Sequence, residues 1–202
     1  MINQSKMLMI IAAFFAMTFT QLNAQDDFSL GPRVGLNFAS VSHVEDSKSL
    51  IGLALGLTTT YSINESSGLT LDILYSGQGY KVDDVDFKVN YLQIPLYFDL
   101  FFGDLGESFR PKVYVGVAPH LLLSAKSNDV DYKEFYNSVN FALSGGLGFN
   151  ARVASRIWLN TDLRAFLGLN DIRDKSIQAG DKVTASSIQF SLGLAYGLSK
   201  LD

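Results

Sequence analysis

The sequence holds two histidines, His43 and His120, and histidine is the side chain best suited to carry protons near neutral pH. His43 follows Ser42 and stands two residues before Glu45, so nucleophile, base and orienting carboxylate types occur together. A lipid-modifying enzyme needs such a trio within hydrogen-bond reach. Neighbouring positions in a loop seldom converge on one reacting atom, so no catalytic residue is assigned. Acids gather at Asp83, Asp84 and Asp86, at Asp129 and Asp131, and at Asp171 and Asp174. None has the spacing or the glycine of a calcium-binding loop, so neither a metal site nor a cofactor is assigned. Such clusters suit solvated loops, or a weak divalent-cation bridge to anionic lipid head groups. The absence of cysteine excludes disulfides, Cys-ligated zinc, Fe–S clusters and thiol catalysis. A formal net charge of −4 offers no basic stripe for nucleic acid.

A further set of charges lies inside alternating segments. Arg33, Asp72, Asp99, Lys112, Arg152, Asp162 and Arg164 all fall on the less apolar side of their segments. If that side lines a closed interior, the charges persist there only when paired and hydrogen-bonded. Arg33 and Asp162 stand at comparable mid-strand height in the first and seventh segments, both beside the eighth. The expected network is Arg33 and Arg164 with Asp162 and Asp72, filling a lumen and fixing its register; an ion pathway or gate is the alternative.

The elements that must hold these charges read as strands. Apolar and small or polar residues alternate in twos, the signature of a strand with two different faces. The segments run over 29–38, 50–63, 69–75, 91–102, 112–123, 140–153, 157–167 and 187–198. Each is near the roughly 9–11 residues that a tilted membrane strand requires. The connections 39–48, 64–67, 77–88, 103–110, 124–138, 154–156 and 168–185 alternate between long and short. In an up-and-down barrel this gathers the long ones at one rim, as in outer-membrane barrels.

The outward face is chosen by size and charge. Only 18% of the 202 residues are charged, against about 25% in ordinary soluble domains. The less apolar face reads Gly, Ala, Gly, Thr, Thr, Ser in the second segment and Asn, Ala, Ser, Gly, Gly, Asn in the sixth. Small neutral residues suit the interior of a narrow barrel, where eight strands leave room only for side chains. The other face carries Phe28, Phe38, Tyr61, Tyr75, Phe98, Phe102, Phe141, Phe149 and Tyr196 as candidate interfacial girdles. Pro32, Pro95 and Pro119 each remove a ladder donor; Pro32 and Pro119 can sit near rims, and Pro95 is expected to mark a bulge.

Residues 1–24 carry Lys6, an apolar run over 7–19 and a terminal Ala24, which describes a secretory signal peptide cut after Ala24. The domain plan is therefore a signal peptide, 1–24, and one barrel domain, 25–202.

Several stretches resemble a known family: Arg33-Val34-Gly35-Leu36-Asn37-Phe38, Tyr91-Leu92-Gln93-Ile94-Pro95-Leu96, Gly116-Val117-Ala118-Pro119, and Arg164 followed by Gly168-Leu169-Asn170-Asp171-Ile172. Together, from about Phe28 to Leu198, they resemble the PorT-like family of small outer-membrane β-barrels of Gram-negative bacteria. The resemblance implies an eight-stranded outer-membrane barrel and little chemistry, with a few members linked to protein secretion. One departure is the ending Leu198-Ser199-Lys200-Leu201-Asp202, where membrane barrels often end on an aromatic residue; Tyr196 or Leu198 would carry the assembly signal.

The reading is an exported, eight-stranded antiparallel up-and-down transmembrane β-barrel, integral to the outer membrane with both termini periplasmic. Its expected role is non-enzymatic, structural or in assembly, with outer-membrane lipids and other envelope or secretion proteins as partners. It is expected to be monomeric. A narrow porin-like solute pore and an outer-membrane lipid-modifying enzyme are the alternatives.

Overall fold

The computed structural model describes residues 28–41, 48–82, 85–104, 106–127, 130–174 and 182–198. The signal-peptide segment, the Ser42, His43 and Glu45 group, Asp83, Asp84, Asp129 and the last four residues lie outside them. Ten strands follow in chain order: β1 Phe28–Val41, β2 Lys48–Asn64, β3 Ser67–Val82, β4 Val85–Gln93, β5 Leu96–Phe101, β6 Phe109–Ser127, β7 Val130–Asp131, β8 Val139–Ala154, β9 Ile157–Gly168 and β10 Ala185–Gly197. A short 3₁₀ turn, Lys133–Phe135, follows β7.

Every pairing is antiparallel, and the ring closes where β1 meets β10 and β2 meets β3. β4 and β5 form a single stave between β3 and β6, while the two-residue β7 hangs on β6 outside the ring. Removing β7 and merging β4 with β5 leaves eight staves from the ten strands. Closure matters because hydrocarbon offers no partners for an open edge. Leu198 donates its backbone N–H to the Phe28 carbonyl at 2.9 Å, so the two described chain ends meet at one rim.

The two faces separate as the alternation requires. In β1, Leu30, Val34, Leu36 and Phe38 are exposed, while Arg33, Asn37 and Ala39 are buried. In β2, Ile51, Leu53, Leu55 and Leu57 are exposed, and Ala54, Thr58, Thr60 and Ser62 are buried. This inverts a water-soluble protein: polar side chains make the interior and an apolar belt meets the surroundings. Phe38, Tyr61, Tyr75, Phe98, Phe102, Phe141 and Tyr196 are exposed girdle residues, whereas Phe28 and Phe149 are half-buried.

Three expectations need correcting. The long connection over 77–88 is mostly strand, because β3 runs to Val82 and β4 starts at Val85. Gly79 pairs with Lys88 and Lys81 with Asp86, so a hairpin extends past the apolar belt into a zone where alternation weakens. Pro95 marks no bulge. Leu74 pairs with Gln93 and Leu71 with Leu96 on one side; Gln93 pairs with His120 and Leu96 with Val117 on the other. Equal steps on all strands mean that no residue is inserted. The Asp72 backbone N–H still donates to the Pro95 carbonyl at 3.1 Å, and only the reciprocal bond, which proline cannot make, is lost. The irregularity lies instead in β6, where Asn90 pairs with Ser124 but Tyr91 with Leu122, leaving Leu123 extra. The buried positions of β6 accordingly shift from Leu122 to Ala125 and Ser127. Third, Arg152 sits half-buried at a rim, its guanidinium 5.6 Å from the Trp158 ring centroid and bonded to Ser108, away from the other inward charges.

The belt makes a depth-dependent prediction. Leu55, near the middle of β2 and 51% exposed, should lose about 2–4 kcal/mol of stability on replacement by Arg, measured by urea unfolding in lipid vesicles. The same change at Leu169, in the connection after β9, should cost no more than about 1 kcal/mol. Equal losses at the two sites would mean that the belt does not lie in lipid.

Candidate functional site

Three cations and three carboxylates meet in the lumen: Arg33 from β1, Lys112 from β6 and Arg164 from β9, against Asp72 from β3, Asp99 from β5 and Asp162 from β9. All six are at most 2% exposed. Arg33 Nη1 donates to Asp162 Oδ2 at 2.5 Å and to Ser191 Oγ at 3.0 Å, and its Nη2 donates to Thr58 Oγ1 at 3.1 Å. Its Nε lies 3.5 Å from Asp72 Oδ2, which accepts from Arg164 Nη1 at 2.7 Å. Lys112 Nζ is 3.1 Å from Asp162 Oδ1 and 3.8 Å from Asp99 Oδ1. Asp99 Oδ2 accepts from Thr70 Oγ1 at 2.6 Å. The Tyr97 and Tyr114 rings lie 4.9 and 5.6 Å from the Arg164 guanidinium.

The structure therefore brings Arg33, Asp72, Asp162 and Arg164 into one cluster and adds Lys112 and Asp99 to it. Parity placed those two inward, but pairing them needed the register between β5, β6 and β9, which alternation does not give. The same register explains how a narrow lumen holds such bulky groups. Arg33 faces Gly56 on one side and Gly193 on the other. Arg164 and Tyr114 both face Gly146, Asp162 and Lys112 both face Gly148, and Tyr97 faces Gly116. A Cβ at Gly146 would stand 2.7 Å from Tyr114 Oη, and one at Gly148 would stand 2.7 Å from Asp162 Oδ1.

Neutral layers flank the charges. Toward the rim opposite the chain ends, Asn37 Nδ2 donates to Ser76 Oγ at 2.9 Å, and Gln189 Nε2 donates to Asn37 Oδ1 at 2.7 Å. His120 is bonded to Gln93 at 3.1 Å, with the Tyr91 and Phe166 rings each 5.6 Å away. It is thus enclosed, and it faces an amide rather than a nucleophile and a carboxylate. Above it Val89, Tyr91, Leu122 and Ala125 form an apolar cap against Tyr136. A cavity of about 10 Å³ lies on this side and one of about 70 Å³ at the mouth beside the chain ends. None of the six charged residues lines either of them.

The acidic loop residue Asp171 is also engaged. Its Oδ1 accepts from the Arg173 backbone N–H at 2.9 Å and its Oδ2 from Arg173 Nη2 at 2.8 Å. These bonds hold its carboxyl below the usual carboxylate range. Asp86 stands opposite Lys81 and Asp131 opposite Lys126 in the ladders.

A closed antiparallel ring with an apolar belt outside and a buried ionic network inside defines an integral outer-membrane β-barrel protein. The family model described as an outer membrane protein beta-barrel domain matches residues 19–174, and the chain belongs to that family. Solved structures with the same fold include Neisserial surface protein A, at 18% identity and a TM-score of 0.62, covering 85% of this chain and 97% of that one. The outer membrane protein OprG from Pseudomonas aeruginosa has 16% identity and a TM-score of 0.57, covering 87% and 97%. The E. coli Outer Membrane Protein W has 16% identity and a TM-score of 0.52, covering 88% and 100%. At these identities the likeness is one of fold. No curated protein matches the chain in sequence.

Removing one carboxylate from a buried balance of three against three leaves an uncompensated cation. Asp162→Asn should destabilise the barrel by about 3–5 kcal/mol in urea unfolding. Adding Lys112→Met restores equal numbers and should recover part of that loss, although Lys112→Met alone destabilises. A double variant whose loss equals the sum of the two singles would show that the charges do not act as one unit.

Proposed function

We propose that this chain is a non-enzymatic outer-membrane barrel with a plugged lumen, acting in envelope structure or assembly through its two rims and through other envelope proteins. The observation that carries this reading is the neutral six-charge cluster, which stands between two small cavities and lines neither. A cluster joined across five strands resists displacement, because breaking one pair exposes the rest. Phe28 and Leu198, the first and last described residues, share one rim with the turns at 65–66 and 155–156, and short turns mark the periplasmic rim in bacterial barrels. The resemblance to PorT-like barrels, a few of which are linked to protein secretion, fits a partner within the envelope.

Outer-membrane lipids are the surround proposed for the belt. Lys88 and Lys126 stand directly opposite each other, exposed, beyond the apolar stretch of β4 and β6. Like charges so placed repel; Asp131 faces Lys126 from its other side, and anionic head groups at that level would pair with the exposed Lys88.

Purified protein in planar bilayers should pass no large steady current, whereas Arg33→Ala should open measurable conductance. Large steady wild-type currents would overturn the plug and favour a narrow pore. For the partner role, photo-crosslinkers placed at Ser66 and Ser155, on the turns beside the chain ends, should capture an envelope protein in intact cells. Capture only from residues on the opposite rim would reverse the assigned orientation. A His43→Ala change in lipid composition would favour the enzyme instead.

A further inference from the structure

We propose that the barrel mouth beside the chain ends is a carboxylate-binding site, with Arg110 as its cation and Asn150 and Asn160 beside it. All three line the cavity of about 70 Å³, together with Trp158 and Phe101. Arg110 is 4% exposed and stacks over the Phe101 ring at 4.3 Å, and its Nη2 donates to the Glu65 carbonyl oxygen. Its Nε has no hydrogen-bond partner, as is also true of Nε in Arg33 and Arg164; Oδ1 of Asn150 and of Asn160 is likewise unpartnered, an acceptor that serves an anion only once the amide turns over.

The other buried cations of the lumen set the contrast. Arg33, Lys112 and Arg164 each have a carboxylate oxygen within 3.1 Å. Among the described residues none lies within ion-pair distance of Arg110, and Asp104 and Glu107, whose charges reach it, are exposed on the neighbouring turn. A buried guanidinium without a counter-charge is costly, and its fork geometry matches a carboxylate with two parallel bonds. The Asn150 and Asn160 amides can each turn an N–H toward a bound oxygen. Size fits as well: about 70 Å³ is roughly half of the ~150 Å³ that holds benzene, so an acetate-sized head is accommodated and a large solute is not. Such a head can arrive as a free small acid or as an Asp or Glu side chain of a peptide segment. The site depends neither on the plug nor on the orientation of the barrel.

The test is an NMR titration of the whole protein in nanodiscs, reading the arginine Nε–H resonances, with Arg110→Lys assigning the Arg110 signal. Acetate should shift that signal saturably, and chloride at matched ionic strength should not. In a second readout, the tryptophan fluorescence of Trp158, acetate binding should weaken at least about tenfold in Arg110→Lys, which keeps the charge but loses the fork. Asn160→Ala should weaken it less. A linear or chloride-equivalent response, or unchanged affinity in Arg110→Lys, would overturn the proposal. Should Arg110→Lys fail to fold, the wild-type acetate and chloride arms decide alone. A blocked Gly-Glu-Gly peptide that binds more tightly than acetate assigns the site to a protein segment; acetate binding as tightly or more tightly assigns it to a free acid.

Discussion

A hydrocarbon surround supplies no hydrogen-bond partners, so every backbone donor and acceptor of the belt must be met within the chain. That requirement forces the closure between β1 and β10, and closure in turn fixes everything inside. Once eight staves form a ring, their inward side chains share a narrow interior that they can largely fill. Whatever points inward must be satisfied by other inward groups. The lumen is therefore selected for mutual pairing, and the exterior only for being apolar.

Mutual pairing in so narrow a space couples charge to size. An arginine reaches across the lumen only if the residues opposite it on both neighbouring strands give way, and Arg33 has Gly56 and Gly193 in those positions. Gly146 and Gly148 do the same for Arg164, Tyr114, Asp162 and Lys112. A one-residue slip of β8 would turn these glycines outward and bring Leu147 inward between the charges. The glycines and the ionic cluster thus specify the same register, one by space and the other by attraction. A buried ionic cluster of this kind is weak evidence for net stability, since desolvation offsets most of the Coulomb gain. Its clearer consequence is to make wrong registers expensive.

How much of this could be read in the sequence follows from the same physics. Period-two alternation located all eight staves and the inward side of each, because a lipid-facing row must be apolar without interruption. It placed Arg33, Asp72, Asp162 and Arg164 inward, and Arg33 and Asp162 at comparable height. It could not show Lys112 bridging Asp162 and Asp99, nor pair each glycine with the bulk it faces, because those facts belong to register between strands. Beyond the belt the outer face need not be apolar, so the pattern faded and the hairpin of Gly79 with Lys88 read as a loop. Pro95 misled for another reason. Proline removes a donor, but its carbonyl still accepts from Asp72, and a closed ring tolerates one missing bond without inserting a residue. The extra residue at Leu123 carries no sequence mark at all, since leucine serves equally on either side of a bulge.

If the six charges plug the lumen as proposed, the functional question moves to the ends of the barrel, and the two ends differ. On the side away from the chain ends, Val89, Tyr91, Leu122 and Tyr136 close the interior with apolar contacts, and a paired Asp171 and Arg173 brace the loop above. At the other end the interior finishes on Arg110, Asn150 and Asn160, with polar atoms unmatched around an open cavity. In the middle of the lumen three cations balance three carboxylates, whereas at this edge Arg110 has no carboxylate within ion-pair distance among the described residues. An unpaired buried cation at a mouth is what a ligand-binding end requires, because the energy withheld from folding is then available to the group that arrives.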